Sequence, residues 1–145
     1  MDKIELREIT RSVDDDLALS RSDLDKQMIH QPQLYAYYAL ALAKAMRDER
    51  RVKIKQEMLE SKIYRLLQNK HSRVTEKMLV SECHRDEMWL RLRKLIDDAE
   101  YIVDVLKGIT IALIHKKDML VNLGATVRTE MERLSIRTKG ESYEH

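Results

Sequence analysis

The sequence predicts an all-α protein, a long antiparallel helical hairpin of coiled-coil-like character with a short N-terminal helix, which assembles into an oligomer. The 145 residues include only three glycines and one proline, so few positions break a helix. Apolar residues recur three and four positions apart along two long segments, as they do on the buried face of a helix. These apolar faces are wider than two paired helices can cover, which indicates self-association.

The first element is a short amphipathic helix near the N-terminus. Ile4, Ile9, Val13 and Leu17 follow one another at helix-like spacing, and the segment SRSD at 20–23 ends the pattern. We expect this helix to dock on the longer ones.

The second element is a long helix that opens at the only proline. Pro32 suits the first turn of a helix, and from there the chain runs without glycine to about Asn69. A seam with spacings of three and four passes along this segment, with Glu49 and Gln56 at two of its core positions. The segment is therefore predicted to be a coiled-coil helix with a partly polar seam.

A short helix and a second long helix complete the hairpin. The segment NKHSRVT at 69–75 breaks the pattern, EKMLVSECH predicts a short helix, and Asp86 can cap the helix that follows. That last helix is expected to run from Met88 to Gly124, a residue suited to a left-handed C-terminal cap. Two long helices joined by so short a connection must lie antiparallel. We predict one helical domain over 1–124 and a tail over 125–145 that is either a short extra helix or a flexible end.

The two apolar seams define the residues expected to hold the hairpin and the oligomer together. These apolar residues are distributed along both long helices. The seam residues are Leu42, Val52, Leu59, Ile63, Leu95, Ile102, Leu106, Ile109 and Leu113.

Enzymatic, metal and cofactor chemistry finds no support in the sequence. Cys83 is the only cysteine, which excludes an internal disulfide and favours a reducing, cytoplasmic location. It adjoins His84, but adjacent residues on a helix point about 100° apart and cannot chelate one ion together. No phosphate-binding loop or catalytic motif occurs. The sequence also shows no signal peptide and no apolar run long enough to span a membrane.

Positive charge is concentrated in one segment although the net charge is only +2. On a helical wheel, six cations of the second helix share one narrow arc beside the seam, while the acidic residues lie elsewhere. A merely solvated face would mix the two signs to gain pairs between neighbouring turns. The six cations are Lys44, Arg47, Arg51, Lys55, Lys62 and Arg65.

Three interpretations of this arc remain open. Cations spaced along one side of a helix match the phosphates of a nucleic acid and release counterions on binding. The arc could instead bind an acidic protein, or it could be a solvated flank. Tyrosines in the same helix could stack on bases. Tyr35 and Tyr38 fall on the seam and are interpreted as packing residues, whereas Tyr37 and Tyr64 point elsewhere and stay open to that interpretation.

The order of these features resembles the UvsY-like recombination mediators of tailed bacteriophages over roughly residues 3–125. The resemblance rests on QPQLYAYYALALAK opening a basic helix with IKQEMLESKIYR, on VTEKMLVSECHRD, and on LKGITIALIHKKDMLVNLGA near the end. It implies a helical ring that binds single-stranded DNA and helps to load a RecA-like recombinase onto strands covered by single-strand-binding protein, without nucleotide hydrolysis of its own. It also implies DNA contact near Lys62–Arg65. The chain would then act in the cytoplasm of a phage-infected host.

The main alternative is a structural or assembly protein. Such a coiled-coil module would use the same seams to hold a protein partner, would not bind nucleic acid, and would use its charged flank only to stay soluble.

Overall fold

The computed structural model describes the backbone of residues 3–141 and the side chains of residues 5–135. Within that range the regular structure consists of helices. In chain order these are α1 (Lys3–Thr10), α2 (Val13–Leu17), α3 (Leu24–Lys70), α4 (Glu76–Cys83) and α5 (Glu87–Glu141). The all-α prediction is therefore confirmed, and α3 packs against α5 as in a helical hairpin.

The chain divides into two compact units, each made of two separate stretches of the sequence. Among the described residues, unit 1 combines 3–10 with Ala39–Lys107, and unit 2 combines Arg11–Tyr38 with 108–141. Both long helices pass through both units, so each unit takes one stretch of α3 and one stretch of α5.

Unit 1 is built on antiparallel stretches of α3 and α5. The Lys53 ammonium lies 2.8 Å from the Glu100 carboxylate, and the Trp89 indole N–H donates to Glu60 Oε1 at 2.7 Å. As the position on α3 advances from 53 to 60, its partner on α5 moves back from 100 to 89. This is the antiparallel order that the sequence predicts. Helix α4 closes the core, in which Ile63, Leu67 and Cys83 are buried against Leu59, Val74, Leu79 and Trp89.

Unit 2 joins the start of α3 to the later part of α5 and includes polar groups in its core. The Gln31 amide donates to the Leu113 carbonyl at 2.6 Å, and Gln31 is buried. The Lys116 ammonium, also buried, donates to the Asp16 carbonyl at 2.6 Å. Desolvation by this burial lowers the pKa of Lys116. Helix α2 is therefore attached to the unit by hydrogen bonds.

The expected single N-terminal helix is two helices, with a turn at residues 11–12. The Thr10 hydroxyl donates to the Leu6 carbonyl at 2.9 Å, and the Ser12 hydroxyl donates to the Asp16 carboxylate at 3.0 Å. Short polar side chains that bond locally compete with the helical ladder. The apolar spacing continues across this turn, which is why the pattern did not reveal it.

Helix α3 begins at Leu24, eight residues before the predicted start at Pro32, which lies inside the helix. A proline in a helix interior removes one backbone hydrogen bond and costs about 3 kcal/mol. The added turns offset this cost through packing, because Leu24 and Met28 lie close to Gly124 of α5 and Gln31 is buried. Tertiary contacts therefore determine where this helix begins.

Helix α5 continues through Gly124 to Glu141, so the predicted end at Gly124 is wrong. No residue in the described backbone has a positive φ, and Gly124 therefore does not form the left-handed cap. Residues 125–141 of the expected tail extend α5, and residues 142–145 lie outside the described residues.

Side chains cap both α4 and α5, and the cap at Asp86 is the one that the sequence predicts. The Met78 amide donates to the Thr75 hydroxyl at 3.3 Å at the start of α4. The Trp89 amide donates to Asp86 Oδ1 at 2.8 Å, so Asp86 caps α5 as expected. The short helix predicted in EKMLVSECH is α4.

Most of the seam residues are covered within the chain. Ile63, Ile102, Leu106, Ile109 and Leu113 are buried, and Leu42, Val52 and Leu59 are half-buried. Leu95 is not a core residue, since it is 52% exposed while Ile96 is 1% exposed. Adjacent residues differ by about 100° around a helix, and Ile96 takes the inward direction at this level.

The polar seam positions and the tyrosines also have defined places. Glu49 and Gln56 are half-buried, and the Gln56 side-chain nitrogen has no hydrogen-bond partner. Tyr38 is fully buried, as predicted for a packing residue. Tyr35 is 41% exposed, so the packing interpretation is wrong for it.

Candidate nucleic-acid interface

Six cations form one exposed face on the part of α3 that belongs to unit 1. We call this set the basic face. At 1.5 Å rise per residue its first and last members are about 30 Å apart along the helix. Each member is exposed to solvent, as the sequence predicts. The basic face consists of Lys44, Arg47, Arg51, Lys55, Lys62 and Arg65.

The basic face is exposed because the core of unit 1 lies on another side of α3. Ala45, Ile63 and Leu67 are the buried residues of this stretch. At 100° per residue the cations lie about 80° or more away from these residues around the helix. Packing against α5 and α4 therefore covers the apolar side and leaves the basic face open.

Two members of the basic face have acidic partners. The Lys44 ammonium pairs with the Glu5 carboxylate of α1, and this hydrogen bond raises the pKa of Lys44. Arg51 lies 3.8 Å from the Asp48 carboxylate, one turn earlier. Both arrangements are partly open to water, so each contributes little stability and can exchange for another anion.

The other four members have no ion pair with any residue whose side chain the structure describes. These members are Arg47, Lys55, Lys62 and Arg65. Lys53 shows the opposite arrangement, because its ammonium forms ion pairs with both Glu49 and Glu100 inside unit 1. The structure thus separates a cation that stabilises the fold from cations that are available to a ligand.

Aliphatic side chains lie among the cations, a feature that charge counting alone had missed. Leu40 is 73% exposed, Met58 is 67% exposed and Ile54 is 54% exposed. On the wheel each falls within about 20° of Arg47. The same wheel could have revealed them, had the apolar residues outside the seam been placed on it. Side chains exposed in this way favour burial against a partner.

A second exposed apolar group lies on unit 1 outside the basic face. Leu66, Met88 and Leu95 are each a little more than half exposed. Met88 and Leu95 are seven residues apart on α5 and occupy one side of it. This surplus of apolar surface is the kind that the wide seams predict for a self-associating protein.

The described part of the chain shows neither a membrane span nor a metal cluster. Every stretch of helix there that is long enough to cross a bilayer is too polar to do so. Among the residues described, no group of three or more His, Cys, Asp or Glu side chains could hold a metal ion.

The chemistry of the basic face is electrostatic. Lysine and arginine side chains on one side of a helix can neutralise a row of phosphates, and they carry no means of reading base sequence. The members of the basic face recur every three to seven residues, so the positive charge is distributed along the helix rather than gathered at one point.

Comparison with known proteins adds no relative to this picture. No protein-family model matches the chain, and no curated protein or solved structure matches it.

Proposed function

We propose that this chain is a non-enzymatic recombination mediator that binds single-stranded DNA as an oligomer. In this proposal it promotes the loading of a RecA-like recombinase onto strands covered by single-strand-binding protein. The DNA-binding part is supported by the basic face. The recombinase step and its protein partners are supported only by the resemblance to UvsY-like mediators.

The observation that carries the proposal is the exposure of the whole basic face with four of its cations unpaired among the described residues. A protein that neutralises several phosphates releases their counterions, and the affinity then falls steeply with salt. Cations that paired internally would release fewer counterions. The binding is therefore expected to be strong at low salt, weaker at moderate salt and indifferent to sequence.

Self-association strengthens a modest face of this kind. One basic face offers few phosphate contacts, whereas an oligomer repeats it, and linked sites raise the effective concentration for a long strand. The exposed apolar side chains Leu66, Met88 and Leu95 supply a surface that a second copy would cover. The oligomer is thus part of the proposed mechanism.

A structural or assembly protein is the second candidate, and one observation favours it. Leu40, Ile54 and Met58 are exposed among the cations, as on a surface that binds a partner with both apolar and acidic groups. In that case the basic face would bind a protein and would leave nucleic acid unbound.

Fluorescence anisotropy with a labelled single-stranded oligonucleotide separates the two candidates. The mediator is expected to bind tightly at low salt and to lose affinity as salt rises, whatever the sequence. Absence of binding at low salt would exclude the mediator and favour the assembly protein. Light scattering at several protein concentrations, with and without the oligonucleotide, reports whether the bound form is an oligomer.

A further inference from the structure

A cleft lies in unit 1 between α3 and α4, directly beside the end of the basic face. Its volume is about 630 Å³. The cleft is shallow and open; helix α3 supplies most of the residues that line it, and α4 supplies Leu79. The α3 residues that define it chemically are Glu57, Glu60, Tyr64, Arg65 and Gln68.

Tyr64 gives the cleft an aromatic surface. It is 39% exposed, and Leu79 lines the same cleft. A base that is free of a partner strand stacks well on an exposed aromatic ring, and such stacking tolerates any sequence because every base has a flat face. An aromatic ring and an aliphatic side chain that line one cleft suit a flat apolar group.

The charges around the cleft favour a base rather than a phosphate inside it. Glu57 and Glu60 line it, and Glu60 is held in place by the Trp89 indole at 2.7 Å. Two carboxylates repel a phosphate. Arg65 belongs both to the cleft and to the basic face, and its guanidinium has no ion pair among the side chains described. A strand whose phosphates follow the basic face would therefore present its bases, and not its backbone, to the cleft.

We propose that the cleft receives one unpaired base of the bound strand, with Tyr64 stacking on its face, Arg65 binding the adjoining phosphate and the Gln68 amide hydrogen-bonding its edge. This inference rests on the proposed DNA-binding function and deepens it. In a duplex the bases are stacked and paired, so the cleft would select single-stranded over double-stranded DNA at a site where the basic face alone would accept both.

The test compares Tyr64→Leu with the unchanged protein on a single-stranded oligonucleotide and on a duplex of the same length. Loss of stacking on one base is expected to weaken single-strand binding about tenfold. Duplex binding, which uses the cations alone, should not change. Tyr64→Phe keeps the ring and should retain the single-strand affinity. Tyr101→Leu is the matched control, since Tyr101 is 60% exposed on α5 of the same unit and does not line the cleft.

The outcomes separate this inference from the proposed function. Salt-sensitive single-strand binding that Tyr64→Leu leaves unchanged would overturn the cleft and keep the basic face. Failure of the unchanged protein to bind either DNA at low salt would overturn both.

A measurement on the unchanged protein covers the case in which Tyr64→Leu loses helicity. An oligonucleotide that carries the fluorescent base 2-aminopurine should lose fluorescence on binding, because the base stacks on tyrosine. Binding without that quenching at any position of the label would also overturn the cleft.

Discussion

The Tyr38 hydroxyl donates to the Asp16 carboxylate at 2.8 Å, and this bond attaches α2 to α3 within unit 2. Tyr38 has no exposed surface. Burial, followed by the hydrogen bond to Asp16, raises the pKa of Tyr38 from 10.0 to about 12. Its phenol is therefore held in the neutral, donating form over the whole physiological range.

Replacing Tyr38 by Phe is expected to destabilise the protein by about 1–3 kcal/mol, because the half-buried Asp16 carboxylate loses one of its two hydroxyl donors and keeps only Ser12, while the ring remains. The raised pKa also fixes the pH dependence. A folded state that holds a proton more tightly than the unfolded state is stabilised below pH 10, and this contribution is lost as the pH rises from 10 through 12. Thermal unfolding followed by circular dichroism at pH 8 and at pH 11 measures both effects.

The Tyr38→Phe protein should accordingly show a smaller loss of stability between these two pH values than the unchanged protein. Equal alkaline losses in the two proteins would show that Tyr38 does not hold its proton in the folded state. Tyr35→Phe is the control, since Tyr35 is 41% exposed on the same helix and should alter neither quantity.

Reversing three charges of the basic face is expected to weaken single-stranded DNA binding by more than tenfold at low salt. The change is Arg51→Glu, Lys55→Glu and Lys62→Glu together, at three exposed positions. Loss of three phosphate contacts should also reduce the slope of log affinity against log salt by about 2. Anisotropy titrations at three or more salt concentrations give both numbers, and circular dichroism should show unchanged helicity.

A charge-matched control separates the basic face from the net charge. Lys77, Lys94 and Arg128 are exposed, belong to α4 and α5, and have no ion pair among the side chains described. Their joint reversal to Glu changes the net charge by the same amount. If both triple variants lose equal affinity, the binding depends on overall charge and the basic face has no special role.

Helix existence was predictable from the sequence, whereas helix ends were not. Pro32 and Gly124 are strong local signals for a start and a stop, and both lie inside helices. Helix α3 extends past its local signal because its added turns contact α5, as Leu24 does near Gly124, whereas the described side chains of α5 after Gly124 are mostly exposed. Local propensity is worth about 1–3 kcal/mol at such positions, and packing of several turns outweighs it.

The basic face was predictable because it needs only the geometry of one helix. Each residue turns the helix by about 100°, so the exposed side of the helix can be located once its apolar side is known. The cleft beside Tyr64 was not predictable, because Leu79 reaches it from α4 and no spacing in the sequence relates positions 64 and 79. Leu95 fitted the seam by spacing, yet Ile96 occupies the core at that level.

Leu95 offers a test of self-association that leaves the core intact. Leu95→Gln replaces an exposed apolar side chain by a polar one of similar size and should change the stability of the single chain by less than about 0.5 kcal/mol. It should reduce the average mass measured by light scattering, because the apolar surface available to a second copy shrinks. Ile96→Ala is the contrasting change, since it empties a buried position and should cost about 2–5 kcal/mol. An unchanged mass with Leu95→Gln would place the contact between copies elsewhere.

Gly124→Ala tests the continuity of α5 directly. The nearest atoms to an added Cβ are Leu24 Cδ2 at 3.8 Å and Met28 Sδ at 3.9 Å, so the methyl group would make ordinary contacts. Alanine in a helix interior is favoured over glycine by about 0.5–1 kcal/mol, and the variant is therefore expected to be more stable by that amount. Gly108→Ala is the reference, because nothing lies within 4 Å of its Cβ position and it should gain by helix propensity alone. Urea unfolding of both variants measures the gains. A helix that ended at Gly124 with a left-handed cap would instead be destabilised by alanine there, while Gly108→Ala would still be stabilising, so opposite signs for the two variants would contradict the continuous helix.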